Sequence, residues 1–241
     1  MRIHFIVHEE YEGPGALIDW AEKHRFDISF SRVYLFDKLP SPNDFDLLFV
    51  MGGPQSTYTT INEVPYFDSQ REKMLILDST KNSKAVIGIC LGAQLVGEAM
   101  GSPVTKSHEK EIGVFPISLT DEGKRNILFS HFPDTVNVGH WHGEMPGLTS
   151  ESIIIAESEG CPRQIIEYSK FVFGFQCHLE FTKESVENLI SHSEEELKNS
   201  ADKKYVQSES EFLIYDFNEM NELLFGFLDK LILEYRASKN K

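Results

Sequence analysis

A cysteine between two glycines is the first candidate for chemistry in this chain. Cys90 lies between Gly88 and Gly92, directly after the apolar run Ala85-Val86-Ile87. This spacing is typical of a nucleophile on a sharp turn from a strand to a helix, because the glycines remove Cβ atoms that would crowd an outward-pointing side chain. The positive end of the helix also favours thiolate over thiol. Since a free cysteine is often only a packing residue, this motif by itself leaves both interpretations open.

A histidine and a glutamate at the end of a second apolar segment favour the nucleophile. His178 and Glu180 follow the alternating residues Phe173-Gly174-Phe175. In an extended segment, residues i and i+2 face the same side, so the carboxylate can orient the imidazole while the imidazole takes the proton of a thiol. The sequence therefore predicts a triad of Cys90, His178 and Glu180. A parallel α/β sheet can join these distant residues, because it places the carboxyl ends of its strands along one edge.

Two further glycine-containing segments surround the predicted triad in the sequence. Met51-Gly52-Gly53-Pro54 follows the apolar run Leu47-Leu48-Phe49-Val50, and Val138-Gly139-His140-Trp141-His142-Gly143-Glu144 lies between the cysteine turn and His178. Glycine after a strand lets the backbone approach a substrate closely, so that its N–H groups can meet a developing oxyanion. Taken alone, each segment is also compatible with an ordinary turn or strand.

In their order along the chain, the segments 51–54, 88–94, 138–144 and 176–180 resemble the class I (triad) glutamine amidotransferases. Within that family the chain is similar to stand-alone domains like the glutaminase part of GMP synthase, over roughly residues 1 to 190. It departs from the family pattern at Leu179, where proline is usual, and at Cys177, where an aromatic residue is usual.

The resemblance implies a fold, a reaction and a set of site residues. The fold is α/β, three-layered and flavodoxin-like, with a mostly parallel central sheet and a small antiparallel excursion. The reaction is hydrolysis of the side-chain amide of glutamine to glutamate and ammonia through a γ-glutamyl thioester on Cys90, without a cofactor. The implied oxyanion hole is formed by the N–H groups of Gly53 and Leu91. The implied substrate-binding residues are Gly52, Gln94, Trp141, His142 and Gly143.

Three functions are compatible with this triad. The first is a stand-alone glutaminase or the glutaminase subunit of an amidotransferase whose separate synthetase subunit uses the ammonia. The second is a hydrolase of γ-glutamyl peptides, since the thioester chemistry is the same. The third is a non-catalytic regulatory protein, which the intact triad disfavours. The sequence has no G-x-x-x-x-G-K-[ST] loop for nucleotide phosphates, so we expect no synthetase activity in this chain.

The pair His140 and His142 also has a spacing that can serve metal ligation. A zinc site needs three or four converging ligands, and zinc captured by Cys90 would inhibit a thiol enzyme. The sequence therefore predicts no metal site.

Composition limits the class and the partners of the protein. The chain has 241 residues, 41% of them hydrophobic, and a net charge of −15, with three dispersed cysteines. A phosphate-binding surface needs a basic face, so we expect a small-molecule substrate rather than nucleic acid. The sequence has no apolar run of about 18 residues and no signal-peptide pattern, and free cysteines suit a reducing compartment. These features predict a cytoplasmic protein that does not bind membranes.

Alternating strand and helix patterns describe the elements that must position the triad. We expect strands over 3–7, 28–34, 47–51 and 85–89, helices over 16–23, 67–77 and 91–100, and then short strands over 113–119, 136–142, 153–156, 164–168 and 171–176. The chain should end with a helix over 183–199, a polar stretch over 199–210 and an amphipathic helix over 217–235. We expect a glutamine amidotransferase domain over 1–200 and a C-terminal helical extension over 201–241 that packs on the same domain, with a homodimer contact as the alternative role of the last helix.

Overall fold

A computed structural model describes residues 1–239. In that range the strands are β1 (Arg2–Val7), β2 (Asp27–Arg32), β3 (Leu47–Val50), β4 (Ala85–Ile89), β5 (Thr105–Leu119), β6 (Thr135–Met145), β7 (Ile153–Glu157), β8 (Ile165–Ser169), β9 (Val172–Phe175) and β10 (Tyr205–Val206). The α-helices are α1 (Ala16–Lys23), α2 (Ser69–Lys81), α3 (Leu91–Ala99), α4 (Asp121–Arg125), α5 (Lys183–His192), α6 (Glu194–Ser200), α7 (Glu209–Leu213) and α8 (Asn218–Lys239). Single 3₁₀ turns lie at Val33–Leu35 and Ile127–Phe129.

One mixed sheet contains all of these strands. Its order is β10-β5-β7-β8-β9-β4-β3-β1-β2, and β6 pairs with β5. Neighbours from β2 to β9 are parallel, whereas β9, β8, β7 and β5 pair antiparallel in turn. The predicted α/β fold with a mostly parallel central sheet and an antiparallel excursion is confirmed.

The parallel strands are apolar on both faces because helices cover both sides of the sheet. Phe5 and Phe49 pack in one buried cluster, while Ile6 and Leu48, their neighbours along the strands, pack in another. Successive side chains of a strand alternate between faces, so these clusters lie on opposite sides of the sheet. This three-layer arrangement leaves the carboxyl ends of the strands free to carry a site.

Several predicted boundaries differ from the structure. Helix α2 begins after Asp68, whose side chain accepts a hydrogen bond from the N–H of Arg71, and continues to Lys81. Met74, an apolar residue of this helix, is 64% exposed. The prediction of a single helix over 183–199 is wrong, since α5 ends before Ser193 and α6 begins directly after it.

The segment after α6 is more ordered than its polar composition indicated. It contains β10, which extends the sheet beside β5, and α7, which begins with a capping box of Ser208 and Glu211. Hydrogen bonds to neighbouring elements stabilise such a segment where apolar residues are few. The side chain of Gln207, for example, accepts a hydrogen bond from the N–H of Val114 and donates one to its carbonyl oxygen.

Helix α8 packs against the sheet and α1. The ring of Phe227 lies 4.8 Å from that of Phe129 and 5.1 Å from that of Phe173, and the indole of Trp20 donates a hydrogen bond of 2.9 Å to Asp229. Residues 240 and 241 of the predicted extension lie outside the described residues. Within residues 1–239, no helix combines the length and the hydropathy that crossing a bilayer requires.

Candidate active site

The neighbouring strands β4 and β9 bring Cys90 and His178 together. Both strands are parallel, so their carboxyl ends lie at the same edge of the sheet. The N–H of Cys90 donates a hydrogen bond of 2.7 Å to the carbonyl of Phe175, the last residue of β9. His178 follows three residues later. The sheet therefore joins two residues that are 88 positions apart in the sequence.

Cys90 occupies a strained turn. Its φ of 51° and ψ of −110° are unusual for a residue with a side chain, and they end β4 abruptly before α3. The flanking glycines allow this turn to pack tightly. A Cβ atom on Gly88 would lie 2.2 Å from the carbonyl oxygen of Gly92, and one on Gly92 would lie 1.9 Å from that of Val50. The glycines are thus required by close backbone packing and not only by access to the thiol.

His178 and Glu180 form a short, buried hydrogen bond. Nδ1 of His178 lies 2.6 Å from Oε1 of Glu180, and both residues are at most 5% exposed. Phe181 stacks on the imidazole with the ring planes 8° apart and the centroids 4.1 Å apart. Because the carboxylate accepts only, Nδ1 carries the proton of this bond. The nitrogen Nε2 is buried and makes no hydrogen bond to an oxygen or nitrogen of the described residues.

Main-chain contacts on both sides hold the two residues. The N–H of His178 donates to the carbonyl of Gly139, and the N–H of Gly139 donates back, at 2.8 and 3.0 Å. The N–H of Ala16, at the start of α1, donates to the carbonyl of Glu180 at 2.9 Å. A Cβ atom on Gly15 would lie 2.2 Å from that carbonyl oxygen, so only glycine permits this approach. The triad residues are thereby fixed to β6 and α1.

The charge balance of the site favours a protonated imidazole. Burial opposes the charged form of His178, but the Glu180 carboxylate and a contact with Cys90 outweigh it and raise the pKa of His178 to about 10. Gly52 lies beside both groups, since a Cβ atom on it would be 3.6 Å from Cβ of Cys90 and 3.6 Å from Cε1 of His178. The thiol of Cys90 lies 3.6 Å from the carbonyl oxygen of Trp141.

The loop after β3 is held by a buried ion pair. Nδ1 of His8 lies 2.9 Å from the carbonyl oxygen of Gly52, and Nε2 of His8 lies 2.9 Å from Oε2 of Glu72. The peptide that follows Gly52 is trans, so the N–H of Gly53 points away from His8. Leu91 is the first residue of α3, and its N–H has no partner within the helix. Both predicted oxyanion donors are therefore backbone groups beside the Cys90 turn.

Glu12 is a second acidic group at the site. Its Oε2 atom is buried without a hydrogen-bond partner in the described part of the chain and would lie 3.1 Å from a Cβ atom on Gly52. Burial raises the pKa of Glu12 to about 7, and the nearby His178 and His8 oppose this rise. Together with Tyr11, Gly52, His178 and Glu180, it lines a small cavity.

The other predicted substrate-binding residues lie in different surroundings. The indole of Trp141 donates a hydrogen bond to Glu196 of α6 at 2.9 Å, while its carbonyl oxygen lies 3.6 Å from the thiol of Cys90. The side chain of Gln94 donates to Gln176 at 3.1 Å and is buried. Gly143 lies against the aliphatic part of Lys110. None of these side chains forms a hydrogen bond with a triad residue among the residues that the structure describes.

His142 belongs to a separate buried cluster. Its Nε2 lies 3.3 Å from Oε2 of Glu111, its direct partner in the pairing of β5 with β6, and 3.4 Å from Nδ1 of His140. The amide of Gln164 reaches both histidines and Glu111. Burial lowers the pKa of His140 to about 3, so its ring is neutral at neutral pH. Alternating strand residues face opposite sides, so this cluster lies across β6 from the indole of Trp141.

The other two cysteines are unsuited to nucleophilic attack. Cys161 and Cys177 are fully buried, whereas Cys90 is partly exposed. Burial raises the pKa of Cys161 to about 12 and raises that of Cys177 well above the usual value for a thiol. Among the three cysteines, only Cys90 is both partly exposed and in contact with a histidine, His178.

Comparison with known proteins shows the family of the chain. The profile of the class-I glutamine amidotransferases matches residues 23–193. The chain belongs to this family. A glutamine amidotransferase-like protein of Salmonella typhimurium, YfeJ, is 52% identical over 98% of this chain and 99% of its own length. A GMP synthase of Neisseria meningitidis is 27% identical over 68% of this chain, which is 28% of that enzyme. The crystal structure of SMU.1228c is 47% identical, covers 96% of this chain and 100% of its own, and superposes with a TM-score of 0.94.

This amidotransferase domain has polar groups near its triad that sequence reasoning missed. His8, Glu72 and Glu12 carry no local motif, because their partners lie far along the chain. The one available signal was the position of His8 and Glu12 just after the first strand, since loops at the carboxyl edge of a parallel sheet surround its site. Glu111 and Gln164 were missed for the same reason, although Glu111 lies directly opposite His142 in the β5–β6 pairing.

Proposed function

We propose that this class-I amidotransferase family member hydrolyses the side-chain amide of glutamine with Cys90 as nucleophile, His178 as acid and base, and Glu180 as the group that orients and charges His178. The observation that carries the proposal is the position of His178. It bonds Glu180 through Nδ1 at 2.6 Å, while its Nε2 is left without an oxygen or nitrogen partner among the described residues and its imidazole contacts Cys90.

The first half-reaction transfers the γ-glutamyl group to sulfur. A protonated His178 provides the counter-charge for a thiolate at Cys90, which attacks the amide carbon and pushes an electron pair onto the carbonyl oxygen. The N–H groups of Gly53 and Leu91 receive that oxyanion. Each such donor is worth about 3 kcal/mol in comparable acyl-transfer sites. When the tetrahedral intermediate collapses, His178 gives its proton to the departing nitrogen, and ammonia leaves.

The second half-reaction returns the enzyme to its starting state. His178, now neutral at Nε2, takes a proton from water as the water oxygen attacks the thioester carbon. The same oxyanion donors act again. The carbon–sulfur bond then breaks, and glutamate leaves with the thiolate of Cys90 restored beside a protonated His178. Atoms balance as glutamine plus water giving glutamate plus ammonia.

Substrate comparison tests this proposal directly. Purified protein is incubated with glutamine or with γ-glutamyl dipeptides, and released glutamate and ammonia are measured against a Cys90→Ala control. The proposal predicts equal amounts of glutamate and ammonia from glutamine and no product from the control. Glutamate from dipeptides alone would instead support γ-glutamyl peptide hydrolysis, which uses the same thioester.

A second measurement covers the case in which a separate synthetase subunit is needed for turnover. A diazoketone analogue of glutamine alkylates an activated cysteine without any acceptor for ammonia. Labelling of Cys90 without turnover would point to a missing activating partner. If Cys90 is not labelled and glutamine is not turned over, the proposed function is refuted.

A further inference from the structure

We propose that the buried cluster of Glu111, His140, His142 and Gln164 is a structural zinc site. Because the sequence pattern alone offered only two of these residues, it predicted no metal. The structure adds Glu111, which pairs with His142 across β5 and β6, and Gln164, which immediately precedes β8. All four residues are at most 5% exposed.

The spacing of the donor atoms matches a tetrahedral ion. Oε2 of Glu111, Nδ1 of His140 and Nε2 of His142 lie 3.3 to 3.7 Å from one another. The terminal amide atom of Gln164 that faces them lies 3.2 and 3.3 Å from the histidine nitrogens and 2.7 Å from the carboxylate oxygen. Zinc bound at about 2.0–2.1 Å by four ligands separates them by about 3.3–3.4 Å. The six distances between the four donor atoms therefore scatter around the separation that zinc requires.

Hydrogen bonding alone does not satisfy this cluster. The nitrogen of the Gln164 amide has two protons but four neighbours within 3.3 Å, counting Ser158 as well. The oxygen of the same amide is buried and has no hydrogen-bond partner among residues 1–239. Turning the amide about its last bond exchanges its oxygen and nitrogen and directs the oxygen at the centre. Four lone pairs then converge, and a cation is what makes such an arrangement favourable.

Outer contacts orient His140 and Glu111 as zinc sites require. Nε2 of His140 lies 3.2 Å from the carbonyl of Phe115 and donates to it, which leaves the lone pair of Nδ1 directed at the cluster. The hydroxyl of Ser158 lies 2.8 and 3.0 Å from the two oxygens of Glu111 and donates its single proton to this carboxylate. Four protein ligands in a buried position leave no open coordination site, so the role is structural rather than catalytic.

The position of the site links it to the triad through β6. Trp141 lies between the two histidines, and its carbonyl contacts the thiol of Cys90. Zinc at the cluster would hold this part of β6 to β5 and to the start of β8. The proposal does not depend on the reaction that Cys90 performs, because the cluster includes no triad residue.

Metal titration of a variant that lacks the proposed catalytic thiol tests the site. Cys90→Ser removes the catalytic thiol as a competing ligand, and the chain is stripped with a chelator and titrated with Zn²⁺ against a chromophoric competitor. We expect one equivalent of tightly bound Zn²⁺. Replacing Glu111 with leucine in the same background should weaken binding by about 100-fold or more. The matched control is His108→Ala, which removes an exposed histidine of the same strand and should leave binding unchanged.

Cobalt provides a readout that does not depend on the folding of the Glu111→Leu variant. Co²⁺ added to Cys90→Ser should give the intense visible bands of a four-coordinate ion, because tetrahedral geometry is diagnostic. Zn²⁺ should abolish these bands and raise Tm, since a ligand that binds only the folded state stabilises it. Zinc binding no tighter than in the Glu111→Leu variant, or a weak six-coordinate cobalt spectrum, would overturn the proposal and leave the cluster as a hydrogen-bond network only.

Discussion

The imidazole of His8 holds the carbonyl of Gly52 at 2.9 Å, which fixes the direction of the next N–H, that of Gly53. The other ring nitrogen of His8 contacts Glu72 at 2.9 Å. Since a carbonyl and a carboxylate can only accept, both nitrogens of His8 must donate, and the ring is an imidazolium. Burial opposes this charge, but Glu72 and the hydrogen bonds to it and to Gly52 raise the pKa of His8 above its usual value. His8 is thus a positioning residue for the proposed oxyanion hole.

Replacing His8 with asparagine should reduce kcat more than it changes KM. The shorter amide cannot bridge Gly52 and Glu72, so the Gly53 N–H loses its fixed direction when charge develops on the substrate oxygen. Removing one oxyanion donor costs about 100- to 1,000-fold in kcat, and we expect a misdirected donor to cost about 10-fold or more. Steady-state glutamine hydrolysis at neutral pH measures this effect.

His4→Asn is the matched control for that experiment. His4 is also buried near β2 but bonds Ser29 and Ser31, away from the loop after β3. We expect its kcat to stay within about twofold of the native value in folded protein. A His8→Asn protein with native kcat would show that the Gly52 loop keeps its geometry unaided.

A diazoketone analogue of glutamine should label Cys90 and neither of the other cysteines. Cys90 is partly exposed at a helix start, whereas Cys161 and Cys177 are fully buried with raised thiol pKa values. Peptide mass spectrometry after one equivalent of reagent locates the added mass. Equal modification of Cys161 in folded protein would contradict the assignment of the nucleophile.

Alanine at Gly92 should prevent stable folding. The new Cβ would lie 1.9 Å from the carbonyl oxygen of Val50, a contact between two backbone segments that no side-chain rotation relieves. We expect a loss of several kcal/mol in unfolding free energy, measured by urea denaturation, or insoluble protein. Gly13→Ala is the control, because nothing lies within 4 Å of its new Cβ. A Gly92→Ala protein as stable as Gly13→Ala would refute the packing argument for the turn.

Replacing Glu180 with glutamine should lower the pKa of His178. Burial alone disfavours the imidazolium, and the Glu180 carboxylate is the main group that reverses this effect and brings the pKa to about 10. The ring nitrogens of His178, followed by NMR, should therefore titrate at lower pH in the variant. Activity should fall by about 100-fold or more, as when a catalytic histidine loses its orienting carboxylate.

Protein stability should reflect the same shift. A pKa of His178 raised from 6.5 to about 10 contributes stability that is complete below pH 6.5 and is lost as pH rises through 10. The native protein should lose this contribution across that interval, and Glu180→Gln should lose less. Glu184→Gln, which changes an exposed residue of α5, should behave like the native protein. If the free energy of unfolding depends on pH in the same way in all three proteins, the coupling of His178 to Glu180 is contradicted.

The sequence predicts the triad better than it predicts what supports the triad. Cys90 and His178 end neighbouring parallel strands, and both are preceded by apolar segments whose strand character is local information. The bond from His8 to Glu72 spans 64 positions and joins the end of β1 to α2, so no periodicity encodes it. The division of one predicted helix at Ser193 also escaped detection, because α5 and α6 continue the same polar pattern.

The side chains of the segment 138–144 illustrate a second limit. The motif at 138–144 correctly indicates a strand beside the site, yet Trp141 and His142 face opposite sides of it, and the Trp141 indole bonds Glu196 of α6. Strand periodicity predicts that successive side chains face opposite sides of the sheet, but it does not predict which side faces the site. That choice depends on elements that pack later in the chain, such as α6, whose position the sequence does not encode locally.

Glu12 should make stability depend on pH near neutrality. Burial raises its pKa from 4.5 to about 7, so the folded state favours the protonated carboxyl; this contribution is complete below pH 4.5 and is lost as pH rises through 7. Glu12→Gln keeps a neutral side chain at every pH. The variant should therefore gain stability relative to the native protein as pH rises from 4.5 to 7, by about 2 kcal/mol because the residue as a whole is only half-buried.

Urea denaturation at pH 5 and pH 8 measures this difference between Glu12→Gln and the native protein. Glu10→Gln is the control, since it removes an exposed carboxylate two residues away. If Glu12→Gln and Glu10→Gln change in parallel with pH, then Glu12 is ionised throughout, and His8 and His178 compensate its charge in the cavity beside Gly52. If only Glu12→Gln gains stability, the cavity holds a carboxyl that loses its proton near neutral pH, directly beside the group that the proposed reaction uses as acid and base.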